Sequence, residues 1–180
     1  MRRPLLSLGL AAAATAALAV AGCGGGGADK PVVVKSKADF VKAGDKICVD
    51  RDSASRKLAK SSDNKSDAAQ ITGSLADIYA DAVAKLKALP LPPGAARAGA
   101  RKYLASVADM QQPIERMKAA ATKLENAIKS TRAAEIESDA KALQLDVNTV
   151  QAISDLADQN ARSYGFHNCG QQQQQAAAVT

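Results

Sequence analysis

Tryptophan is absent from this 180-residue chain, which holds only two phenylalanines and three tyrosines. Sites that stack sugars, bases or flat cofactors on aromatic faces have almost nothing to build on. A single histidine, His167, excludes any centre that needs two imidazoles, including most zinc sites. Three cysteines cannot staple a disulfide-dense scaffold. Alanine supplies much of the 47% hydrophobic content, while β-branched and aromatic residues are sparse. Such a composition favours helix over sheet. There is also no nucleophile elbow, no glycine-rich phosphate loop after a strand and no HExxH motif. Neither an enzyme nor a bound cofactor or metal is expected.

What is present begins with an address. Met1-Arg2-Arg3 is positively charged, Leu5 to Val20 is apolar, and small residues lead into Cys23. This order describes an export signal. Leu5 to Ala21 is 17 residues, the lower edge of what spans a bilayer as a helix, so a transmembrane segment is the competing reading. Val20-Ala21-Gly22-Cys23 resembles the lipobox of bacterial lipoprotein precursors, with Val20 where that family more often has leucine. The resemblance implies removal of residues 1–22, lipid on Cys23, and anchoring to the outer face of a bacterial membrane. Cleavage after Ala21, releasing a soluble secreted chain, is the alternative. Arg2-Arg3 lacks the flanking residues of a twin-arginine signal. Gly24 to Gly27 cannot hold structure cheaply, so residues 23–36 read as a lipidated cysteine and flexible tether.

Residues 37–169 carry helical periodicity throughout. Phe40, Ile47, Cys48, Ala54 and Leu58 mark a first helix over Lys37–Lys60. Ser61 to Ser66 is turn chemistry, with Ser66 as a helix cap. A second helix runs through Ile71, Leu75, Ile78, Ala82, Leu86 and Leu89, and ends at Pro90-Leu91-Pro92-Pro93-Gly94. A third spans Ala96 to Ile128, with Pro113 predicting a kink near Gln111-Gln112. After a turn at Ser130-Thr131-Arg132, a fourth runs from Ile136 to Tyr164 and stops at Gly165. Residues 170–180, rich in Gln and Ala, lack a periodic face and read as a disordered tail.

Short connections between amphipathic helices predict an all-α, antiparallel up-down-up-down four-helix bundle with unequal helix pairs. Charge agrees with that order. Residues 29–65 hold ten Lys/Arg against six Asp/Glu, and residues 94–132 hold eight against three. Residues 133–180 hold two against six, so the fourth helix is acidic and is expected between two basic ones. The whole chain carries a formal charge of +6. Without stacking aromatics or a dense basic run, this points to anionic headgroups rather than nucleic acid.

Individual candidates are few. Asp50-Arg51-Asp52-Ser53 starts like a calcium loop, but Ser55 and Ser61 stand where glycine and a carboxylate are needed, so it reads as a solvated helix face. His167 beside Phe166 and Tyr164 reads as packing or exposure at a helix end, and Met110 and Met117 as core. With Cys23 committed to lipid, Cys48 and Cys169 are two thiols in an oxidising compartment, toward the anchored end of the bundle. They form either a disulfide or a pair of free buried thiols. Asp45-Lys46-Ile47-Cys48 and Tyr164-Gly165-Phe166-His167-Asn168-Cys169-Gly170 together resemble small helical lipoproteins of high-GC Gram-positive bacteria. That resemblance implies a disulfide-closed bundle and brings no activity with it.

The first two helices span about 24 residues each and the last two about 33 to 35, so the longer pair should overshoot by about 15 Å around Ser130. Leu124, Ile128, Ile136 and Leu143 would line the overhang, either zipped as a hairpin or exposed as a binding strip. The expectation is a lipid-anchored bundle that binds without catalysis at the cell envelope, its partner an envelope protein. The alternative is a carrier of a small apolar or amphipathic ligand.

Overall fold

The computed structural model describes residues 32–61 and 68–170. The expected signal peptide 1–22, Cys23 and the tether up to Pro31, Ser66 with its turn, and tail residues 171–180 lie outside the described residues. Five helical segments follow one another: α1 Lys37–Ser61, α2 Ala68–Lys87, α3 Ala96–Ala108, α4 Gln111–Lys129 and α5 Ala133–Tyr164. No strand occurs among the described residues, and the chain is an all-α helical bundle.

The helix ends follow from local chemistry. At the start of α1 the Ser36 hydroxyl accepts the Asp39 N–H, 3.1 Å, and donates to the Asp39 carboxylate, 2.9 Å. The Lys35 N–H also donates to that carboxylate, 3.1 Å, so first-turn donors are satisfied in both directions. The Ser36 hydroxyl, followed by the Lys35 N–H, holds the Asp39 carboxyl below its usual pKa. Val34, at the end of the expected tether, already packs against the core. At the far end of α5, Gly165 takes φ 107°, and its N–H and that of Phe166 both reach the Ala161 carbonyl. This left-handed closure turns the chain back across the bundle.

The break between α3 and α4 falls at Asp109-Met110, two residues before the expected position. Pro113 has no N–H to give the Asp109 carbonyl, and its ring crowds that carbonyl. Met110 instead donates one residue short of an α-helical bond, to Val107 at 3.2 Å. Both flanking residues keep right-handed helical angles, so the chain continues onward rather than reversing. α3 and α4 together make the third of four helical rods.

Pairings fix the directions of the rods. Lys118 meets Asp77 and Lys87 meets Gln111, so α2 runs against α4. Arg116 meets Asp146 at 3.1 Å and the Tyr164 hydroxyl donates to Ala96 O at 3.0 Å, so α5 runs against α3–α4. The Phe40 and Tyr164 rings lie edge to face 5.7 Å apart, bringing the start of α1 to the end of α5. The acidic α5 therefore packs along α3–α4 and meets α1 at one end. Most ion pairs nonetheless lie within one helix and are exposed, so each contributes only about 0–1 kcal/mol.

Of the two readings of the tip, an exposed binding strip is not what the structure shows. A Cβ on Gly73 of α2 would lie 3.9 Å from the Ala121 Cβ of α4, so α2 covers α4 almost to its end. By rise per residue, α4 runs only about 5 Å beyond α2. Leu124 and Leu143 consequently sit in the core, each 8% exposed, and Ile136 packs against it half-buried. Of the four, Ile128 alone is exposed, at 44%. They do not form one surface.

Candidate functional site

Three features cluster where the chain folds back after α5. The first is a clasp. Cys48 and Cys169 form a disulfide with Cα atoms 5.3 Å apart across 121 positions of sequence. Three residues before Cys48, the buried Asp45 carboxylate accepts the backbone N–H groups of His167, Asn168 and Cys169 at 2.7–3.2 Å. An ionised acceptor in low-polarity surroundings makes hydrogen bonds roughly twice as strong as neutral ones. The same segment places Phe166 against Phe40, Tyr103 and Tyr164, with ring centroids 4.5–5.8 Å apart. Gly44 is required here because a Cβ would lie 2.4 Å from Phe166 Cε1. Arg162 ties off the segment by donating to the Gly170 carbonyl.

The second feature is a buried polar group one turn further along α1. Arg51 is only 8% exposed and donates through Nε and Nη2 to Asp52, at 2.9 and 2.8 Å. Its guanidinium lies 5.4 Å from the centre of the Tyr79 ring, and its charge acts on Asp158 of α5. Burial pushes the Asp158 carboxyl up, against the opposing pull of Arg51 and Arg162. Burial likewise raises the Tyr103 phenol far above its usual range. The segment read as a solvated face is thus helical, as expected, but turns one arginine inward. A cavity of about 20 Å³ lies between these groups and the disulfide, lined also by Ser154. That volume holds about one water molecule. Small-molecule pockets are of order 300 Å³ or more, so this space admits no organic ligand.

The third feature is a groove of about 820 Å³ on the outside, between one stripe of α1 and residues 165–168. Ala38, Val41 and Val49 form its floor, with Val49 42% exposed. Lys37, Lys42, Lys46 and His167 stand around the rim. The Lys37 ammonium lies 4.8 Å from the Tyr164 ring centre, and Lys46 pairs with Asp50 at 2.7 Å. The one carboxylate in the lining, Asp45, is occupied by the amides of the clasp. An apolar floor with a cationic rim suits a partner that is apolar along its body and anionic at its edge.

Sequence reasoning anticipated the Cys48–Cys169 disulfide, left His167 as packed or exposed, where it is exposed, and missed Asp45, Arg51 and the groove. The available signal was Gly44-Asp45 one turn before a pairing cysteine: a small residue and a carboxylate on an otherwise apolar stripe. Met110 and Met117 are core, 5% and 3% exposed. Among the described residues, no group of three or more His, Cys, Asp or Glu could hold a metal ion, and no helix is long and apolar enough to cross a membrane. Comparison with known proteins gives no matching family model, no similar curated protein and no similar solved structure.

Proposed function

We propose that this protein is a lipid-anchored binding module on the outer face of a bacterial membrane, and that it engages its partner without catalysis through the groove along α1. The observation that carries this reading is the groove itself. It offers about 820 Å³ of open, apolar-floored, lysine-rimmed space, against about 20 Å³ inside the bundle. The anchor rests on Val20-Ala21-Gly22-Cys23 and its resemblance to a lipobox. The clasp supports the same reading because it braces one wall of the groove with a disulfide and a charged hydrogen-bond anchor. A rigid wall lowers the ordering cost of binding.

Purification from membranes followed by native mass spectrometry tests the proposal. A co-purifying protein, lost in a Val49→Glu variant that retains its fold, supports an adaptor. A co-purifying small mass lost in the same variant supports the carrier reading at the groove. A turnover that tracks the protein through purification would contradict the non-catalytic assignment.

A further inference from the structure

The electric charge of the bundle is unevenly distributed along its length. Residues 32–46, 88–104 and 160–170 make up the end at which the N-terminal segment enters. They carry eight Lys/Arg and only two carboxylates, Asp39 and Asp45. Both carboxylates are engaged internally, one capping α1 and the other holding the clasp. The far hairpin, residues 115–146 of α4 and α5, carries six Lys/Arg and six Asp/Glu. One end is cationic and the other balanced. The cationic end also exposes apolar side chains: Val32 at 50% and Val33 at 65%. Valines beside lysines at the entry to a helix describe an interfacial surface, with apolar groups entering the headgroup layer and ammonium groups meeting phosphates.

Chain length adds an independent constraint. Val32 follows Cys23 by nine positions. Fully extended, nine residues reach at most about 32 Å. A lipid on Cys23 therefore keeps the cationic end within reach of the membrane surface, and each lysine gains from anionic headgroups once it comes within about one screening length. A basic patch beside a lipid anchor adds attraction to anionic headgroups.

We infer that the partner met at the lysine-rimmed start of the α1 groove is the membrane itself: Lys35, Lys37 and Lys42 bind phosphate headgroups of anionic phospholipid while Val32 and Val33 dip into the interface. This deepens the binding-module reading and rests on it. The bundle is then held against the bilayer at its disulfide-closed end, with the balanced hairpin pointing outward.

The test uses the protein purified from membranes and reconstituted into vesicles of phosphatidylcholine alone or mixed with phosphatidylglycerol. Exposed amines are acylated briefly and mapped by mass spectrometry. At low salt, Lys35 and Lys42 should label at least about fivefold more slowly on the anionic vesicles, and Lys129 and Lys141 equally on both. The protection should vanish near 1 M salt, where the screening length is about 3 Å. Equal labelling of Lys35 and Lys42 on the two vesicles overturns the inference. Protection that is equally strong on neutral vesicles overturns it too, since headgroup charge would play no part. Failure of the anchor is distinguishable, because an unlipidated protein would not stay with neutral vesicles. The labelling is then repeated with anionic vesicles added to the free protein, with the same two results deciding it.

Discussion

Replacing Asp45 by asparagine probes the clasp most sharply. The carboxylate is buried, 8% exposed, and accepts three consecutive backbone N–H groups from a segment more than 120 positions away. Asparagine keeps the shape but loses the charge, and presents an NH₂ group toward the same donors. Hydrogen bonds to a charged acceptor contribute about 1.5–3 kcal/mol each, though three that share one carboxylate do not add in full. A buried donor left unpaired costs a further ~1–3 kcal/mol, and rotation of the amide recovers part of the loss. The expected destabilisation of Asp45→Asn is about 3 kcal/mol with the disulfide intact. Urea unfolding at neutral pH measures it, with helical circular dichroism to verify the fold. Hydrogen exchange localises the effect: the amides of His167, Asn168 and Cys169 should exchange more than about tenfold faster, while those of α4 keep their protection. A loss below about 1 kcal/mol with unchanged exchange at 167–169 would refute the Asp45 carboxylate as an energetic element of the clasp.

Reducing Cys48–Cys169, which closes a 121-position loop, should lower stability by up to about 4.9 kcal/mol on the chain-entropy account. Non-reducing peptide mapping must first find the two cysteines joined, and free alkylation of both contradicts the fold. Gly44→Ala should destabilise by about 1–3 kcal/mol, read from the urea midpoint, because its Cβ would lie 2.4 Å from Phe166 Cε1. Leu124→Ala should cost about 2–5 kcal/mol, whereas Ile128→Ser should stay within about 0.5 kcal/mol. Equal effects at the two positions would contradict the tip packing. Asp158 has its pKa raised in the folded state, chiefly by burial, so folding favours its protonated form. That contribution is full below the ordinary aspartate pKa and is lost as pH rises through the elevated folded value. Asp158→Asn should therefore gain on the wild type as pH goes from about 3 to 7 in paired urea titrations, and the opposite slope would be contrary to the burial argument.

The helices were legible because their information is local. Apolar spacing, Pro113, the Pro90–Gly94 turn and Gly165 each act within a few residues of where they stand, so the rods and their order follow from the chain directly. Pro113 illustrates the limit: its effect falls on the Asp109 carbonyl, four residues earlier, so the break lies ahead of the expected site. Arg51 and Asp45 were not legible. A charged residue in a helical pattern reads as solvent-facing unless its partner is known, and Asp45 finds its partners in backbone amides of the last turn of the fold. Tyr79 and Asp158, which accompany Arg51, come from two other helices. The tip was misread for a related reason. Helix lengths were compared without knowing the register, and it is the register of Gly73 against Ala121 that covers Leu124. The groove was hidden as well, because its wall is the segment that the disulfide folds back, and it exists only once α1 and residues 165–168 are side by side.

The anchor is the premise on which both the binding-module reading and membrane docking depend, and one measurement reaches it directly. Cells expressing the protein are grown with a clickable fatty-acid analogue, and label and location are followed together in the wild type and in Cys23→Ser. The wild type should carry label in the membrane fraction, and the variant should carry none. A wild type that carries no label and is released into the medium, with its mature chain beginning at Gly22, would contradict it.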